Sequence, residues 1–139
     1  MRLLGPLLVS ITLVCGPAAL AGEAEIKAAQ QSIDAQLRAF QADDDAAAYR
    51  YAAPNITRMF PTVQTFMNMV ERGYAPVANA RSFTFGKSIE RGPGSIVQQV
   101  MITGSDGKDY EAVYTLELQP DGTFRITGVS LREAKSLST

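Results

Sequence analysis

The chain has 139 residues, with one cysteine, no histidine, no tryptophan and a formal net charge of −1. Its scattered basic residues exclude the clustered positive surface that nucleic acid requires. Without imidazole, and with its one thiol near the N-terminus, the usual zinc and soft-metal sites and the histidine base of a serine triad are excluded as well.

The first 21 residues read as a cleavable secretory signal. Arg2 is the charged start, Leu3 to Val14 the apolar region and Ala19-Leu20-Ala21 the small-x-small ending, with cleavage after Ala21. Gly5, Pro6, Gly16 and Pro17 break the apolar run below the roughly 20 continuous residues of a bilayer span, so no stable membrane span is expected. Cys15 falls inside this segment, and bulky Val14 before it misfits the small residue of a lipoprotein site. The expectation is a periplasmic or secreted protein, with 1–21 as signal peptide and 22–139 as a single domain that has no disulfide.

From Glu23 to Ala42, Ile26, Ala29, Ile33, Leu37 and Phe40 recur at three or four residues, which predicts an amphipathic helix with one buried face. Asp43-Asp44-Asp45 interrupts the pattern and supplies an N-cap for a helix over Ala46 to Ala53, closed by Pro54. An irregular link from Asn55 to Pro61 is expected next. Thr62 then caps a third helix, with Phe66, Met69 and Val70 on one side and Gly73 as a left-handed stop.

The period then changes to two. Phe83, Phe85, Lys87 and Ile89 alternate with Ser82, Thr84, Gly86 and Ser88, the pattern of a half-buried strand, before the turn at Gly92-Pro93-Gly94. Ile96 to Thr103 is apolar on both parities except at Gln98 and Gln99, as in a central strand. After Ser105-Asp106-Gly107, Tyr110, Ala112, Tyr114, Leu116 and Leu118 share one strand face. Pro120-Asp121-Gly122 makes the last turn, and between Phe124 and Leu131 the apolar parity slips at Gly128, where a bulge would absorb the shift. Helices followed by an antiparallel meander predict an α+β fold, N-terminal helices covering one face of a curved sheet of four strands or slightly more.

With the closing stretch Tyr114-Thr-Leu-Glu-Leu-Gln-Pro-Asp-Gly-Thr-Phe-Arg-Ile-Thr-Gly128, this pattern resembles the nuclear transport factor 2-like cone, a scaffold shared by steroid isomerases, dehydratases, polyketide cyclases and binding proteins. More narrowly, Gln36-Leu-Arg-Ala-Phe40, Tyr51-Ala-Ala-Pro54, Phe66-Met-Asn-Met-Val70, Gly73-Tyr-Ala-Pro-Val77 and Gln99-Val100 resemble the bacterial domain of unknown function family 4864. The resemblance covers nearly all of residues 22–139 and brings no assigned activity; Phe124 stands where the hairpin more often carries Trp.

Several local patterns have plainer readings. Gly86-Lys87-Ser88 imitates the end of a phosphate-binding loop, but Arg81 stands where its glycine belongs and a strand surrounds it. Met67 and Met69, two apart on a helix, point to different sides and so make no copper pair. The three aspartates are explained by capping, and Asp106 and Asp109 lack the spacing of a calcium loop. Asn55-Ile56-Thr57 is an idle glycosylation match in a bacterial family. The candidate ligand-binding residues are Tyr51, Tyr74, Gln99 and Tyr114, which the resemblance would bring near the mouth of the cone. In the superfamily's isomerases a tyrosine donates to an oxyanion while a buried carboxylate moves the proton, and here no acid is placed to serve as that base. The expected function is a non-catalytic domain binding a small apolar ligand or an envelope protein, with no cofactor and no metal. The alternatives are an isomerase or dehydratase using a pocket tyrosine and a homodimeric structural component of the envelope.

Overall fold

A computed structural model describes residues 17–135, with side chains from Gly22 onward. The segment read as a secretory signal, residues 1–21, and Cys15 within it therefore fall outside the described side chains. Five helices precede four strands: α1 Pro17–Gln41, α2 Asp45–Arg50, α3 Pro54–Met59, α4 Val63–Gly73, α5 Ala75–Ala78, β1 Ala80–Glu90, β2 Ser95–Gly104, β3 Asp109–Leu118 and β4 Phe124–Glu133. No helix among the described residues is long and apolar enough to cross a membrane.

The strands form one antiparallel sheet in the order β1-β2-β3-β4, and α1 packs across it against β1, β2 and β4. This is the α+β arrangement the sequence predicts. Ile33 and Leu37 of α1 meet Ile96, Val100, Ile102, Ala112, Tyr114 and Leu116 of the sheet in one core, all of them essentially without solvent exposure. The stripe of α1 also carries Ser32, whose hydroxyl donates to the Phe124 carbonyl at 2.7 Å and ties the helix to β4.

Local chemistry explains the helix boundaries. Asp44 caps α2 by accepting from the Ala47 amide at 3.1 Å, and Thr62 and Thr65 exchange hydrogen bonds in a capping box at the start of α4. The segment read as an irregular link contains α3 instead. Pro54 opens this helix at its first position, where a missing amide and a fixed φ cost nothing, rather than merely closing the one before. Gly73 is not left-handed either, since positive φ is confined to Asp43, Gly92, Gly94, Gly107 and Gly122 among the described residues. The Tyr74 amide instead continues the helical pattern to the Val70 carbonyl at 2.7 Å, and Pro76 stands at the second position of the short α5.

Three register shifts shape the sheet, the first of which leaves Arg81 of β1 as an extra residue between the Ala80–Gly104 and Ser82–Thr103 pairs. In β1, Phe85 pairs with Val100 and Ser88 with Gln98, so Gly86 and Lys87 together oppose Gln99. The expected alternation fails there. Phe83 and Phe85 face the helices, but beyond the bulge Ser88 turns inward and Ile89 turns out, 59 % exposed. In β4, Thr115 pairs with Gly128 and Leu116 with Ile126, which leaves Thr127 as the extra residue beside the predicted Gly128. The β4 edge is not left open at this point: the Ala53 amide donates to the Ile126 carbonyl at 2.8 Å and the Ile126 amide to the Tyr51 carbonyl at 2.7 Å. Asn55 Nδ2 then donates to the bulged Thr127 carbonyl at 2.9 Å, which fixes α3 beside the sheet.

Candidate functional site

Anchoring α3 to the β4 bulge leaves a space between the small helices and the sheet. This cavity measures about 290 Å³. Gln36 and Phe40 of α1 form one wall and Ile56 and Met59 of α3 another. Phe66, Met69 and Val70 of α4, with Ile126, Gly128 and Val129 of β4, complete most of the rest. The aromatic wall is ordered by contact: Phe40 stacks on Phe66 with centroids 6.4 Å apart, and Tyr49 tilts against Phe66 at 5.2 Å. Tyr49 also donates its hydroxyl to the Phe60 carbonyl at 2.7 Å, so that loop oxygen is already satisfied.

The cavity is almost wholly apolar. The polar residues of its lining are Gln36 and Tyr74, and no Asp, Glu, Lys or Arg lines it among the described residues. Engineered apolar cavities of about 150 Å³ hold one benzene ring, so this volume admits a molecule of one or two rings.

The four candidate residues do not converge. Tyr74 lines the cavity. Tyr51 lies beside it, giving its carbonyl to Ile126, and contributes no lining side chain. Tyr114 is fully buried on the core face of β3. Gln99 lies on the other face of β2, where its Oε1 accepts from the Lys87 amide at 3.1 Å and occupies the space above Gly86 that a Cβ would need. Residues one apart on a strand face opposite ways, which separates Gln99 from the buried Gln98 beside it.

Among the lining residues that sequence reasoning missed, Gln36 is the polar one. The sign was present, because Gln36 stands three residues after Ile33 and four before Phe40, a polar residue inside the apolar stripe of α1. Gln98 is the analogous polar residue on the core face of β2, between Ile96 and Val100.

A tyrosine and a carboxylate do meet elsewhere, at the β2–β3 turn. The Tyr110 hydroxyl donates to Asp106 Oδ2 at 2.6 Å, while Asp106 Oδ1 accepts from the Lys108 amide at 3.0 Å. The carboxylate raises the phenol to about 12, and the hydroxyl lowers Asp106 below its usual range. This pair is solvent-exposed and outside the cavity, so it closes a turn and provides no base to the apolar site. Among the described residues no group of three or more His, Cys, Asp or Glu is placed to hold a metal ion.

Tyr114 carries an unusual cost. Its hydroxyl is the one fully occluded side-chain polar atom without a partner among the described residues, and burial pushes its pKa up. An unpaired buried hydroxyl costs on the order of 1 kcal/mol or more. Tyr114→Phe should therefore raise the Tm by roughly 4 °C; a lower Tm in a thermal melt would mean that the hydroxyl has a partner.

A family model described as domain of unknown function (DUF4864) matches residues 22–139. Comparison with curated proteins and with solved structures gives no match.

Proposed function

The chain belongs to the DUF4864 family of domains of unknown function, and we propose that it is an exported, non-catalytic domain that binds a small apolar ligand in the cavity between α1, α3, α4 and β4. The observation that carries this reading is the cavity itself, about 290 Å³ with an apolar lining and two polar residues. It lies near the lower end of the range of roughly 300–1,000 Å³ typical of ligand sites. The arrangement of helices on an open antiparallel sheet is compatible with the nuclear transport factor 2-like cone, in which the pocket lies between these same layers. The isomerase or dehydratase reading asks for a carboxylate beside a pocket tyrosine, and the lining supplies Tyr74 without one.

The export part of this reading rests on the signal-like first 21 residues; the family match begins at Gly22, directly after the expected cleavage site. An intact mass beginning at Gly22 in envelope fractions would agree with this, and a mass that retains Met1 to Ala21 would refute it.

Native mass spectrometry of protein purified gently without detergent tests the binding reading. A reproducible added mass of one small molecule is expected, and Ile56→Trp, which enlarges a side chain on the cavity wall, should remove it. Bare wild-type protein that also fails to take up 2-naphthol would overturn the reading. A bare dimer would transfer the weight to the envelope-component alternative.

A further inference from the structure

The chemical class of the ligand can be drawn from Gln36, an inference that rests on the cavity reading above. Gln36 is only 4 % exposed, yet it lines the cavity. Its Nε2 donates to the Ala48 carbonyl at 3.1 Å, and since a carbonyl can only accept, this bond fixes which way the amide is turned. The donor end is committed to α2. The acceptor end, Oε1, has no hydrogen-bond partner among the described residues, and it is not one of the fully occluded atoms, a state confined there to the Tyr114 hydroxyl. Oε1 thus keeps some accessible surface on a side chain that lines the cavity.

We propose that Gln36 Oε1 selects a neutral apolar molecule of one or two rings that carries a hydroxyl or N–H donor. An anion is disfavoured twice. A carboxylate or phosphate would meet an acceptor oxygen, and no Lys or Arg among the lining residues would compensate its lost hydration. A cation would find no carboxylate. A neutral donor, by contrast, satisfies an amide oxygen on a buried side chain that is already oriented, so its hydrogen bond forms without ordering a flexible side chain. Tyr74 lines the same cavity, but a phenol hydroxyl both donates and accepts and so does not discriminate in this way.

The test compares three probes built on one naphthalene frame on the full-chain protein: 2-naphthol, its methyl ether and 2-naphthoate. Naphthalene fluorescence is read without interference because the chain has no tryptophan. Wild-type protein should bind 2-naphthol roughly fivefold to tenfold more tightly than the ether, the usual yield of one hydrogen bond, and should bind naphthoate more weakly than either. Gln36→Met should equalise naphthol and ether, while Tyr74→Phe should keep the preference. Equal binding of the two neutral probes by wild type overturns the role of Gln36 and leaves the cavity reading standing, as does a preference that survives Gln36→Met in folded protein. If Gln36→Met does not fold, Tyr74→Phe decides, because loss of the preference there assigns it to the tyrosine and overturns the proposal. Binding of neither neutral probe overturns the cavity reading, and this proposal with it.

Discussion

Leu116→Ala should destabilise the protein by about 3 kcal/mol and lower its Tm by roughly 10 °C, as expected for a large-to-small change at a site that cannot collapse. Leu116 is fully buried near the end of β3. Its in-register neighbours are Ile96 on β2 and Ile126 on β4, so the three side chains form one row across the core face. Both flanking strands are held by ladder bonds, and β4 is tied again by the Ala53 and Tyr51 backbone contacts to Ile126. The backbone therefore has little freedom to close over the lost volume. Equilibrium urea unfolding measures the loss. A change below about 1 kcal/mol would mean that the row does not pack as the register requires.

The second large effect is polar. Gln98→Leu should cost about 2 kcal/mol although leucine is similar in size and the position lies on the core face. Gln98 is fully buried. Its Nε2 donates to the Gln99 carbonyl at 2.8 Å and to the Gly86 and Lys87 carbonyls at 3.3 Å, while its Oε1 accepts from Gln30 Nε2 at 3.1 Å and from the Ser88 hydroxyl. The amide closes the β1 bulge, where two residues face one and regular ladder bonds are lost. It also links that bulge to α1 through Gln30. Leucine would fill the volume and leave these partners unsatisfied, which is the expensive half of any hydrogen-bond deletion. Ser88→Ala combined with Gln98→Leu should cost less than the sum of the two single changes, because both belong to one network. Hydrogen exchange would locate the damage in β1. A Gln98→Leu protein as stable as wild type would show that water meets the demand of the bulge carbonyls.

Much of the architecture was legible because it depends on local periods. Ile33, Leu37 and Phe40 at helical spacing gave α1 its buried face, and Ala112, Tyr114 and Leu116 at strand spacing gave β3 its own. Thr62 and Asp44 marked helix starts through side-chain oxygens that reach amides three residues on. Gly128 betrayed the β4 bulge because the apolar parity slipped around it. Pro54 misled as a terminator, since the same fixed φ that ends one helix can start the next.

The candidate site was less legible for a different reason. Tyr74 could be found as a large amphipathic residue near a helix end. Gln99 and Tyr114 were grouped with it although they lie on opposite faces of the sheet. The β1 parity was misread in the same way, since a bulge at Gly86 and Lys87 is set by pairing with β2 and leaves little trace in β1 alone.

Composition and periodicity by themselves determined an α+β chain with its helices first, a buried α1 stripe, a four-stranded meander and an inventory without imidazole, because each of these depends on residue type or on neighbours close along the chain. Only the tertiary structure decided that Gln36 turns its amide donor to Ala48 while lining the cavity, that Gln98 stitches a bulge, and that α3 bounds a space against β4. Those facts depend on which distant segments pack together, and a buried amide acquires its role from the partner that packing brings to it.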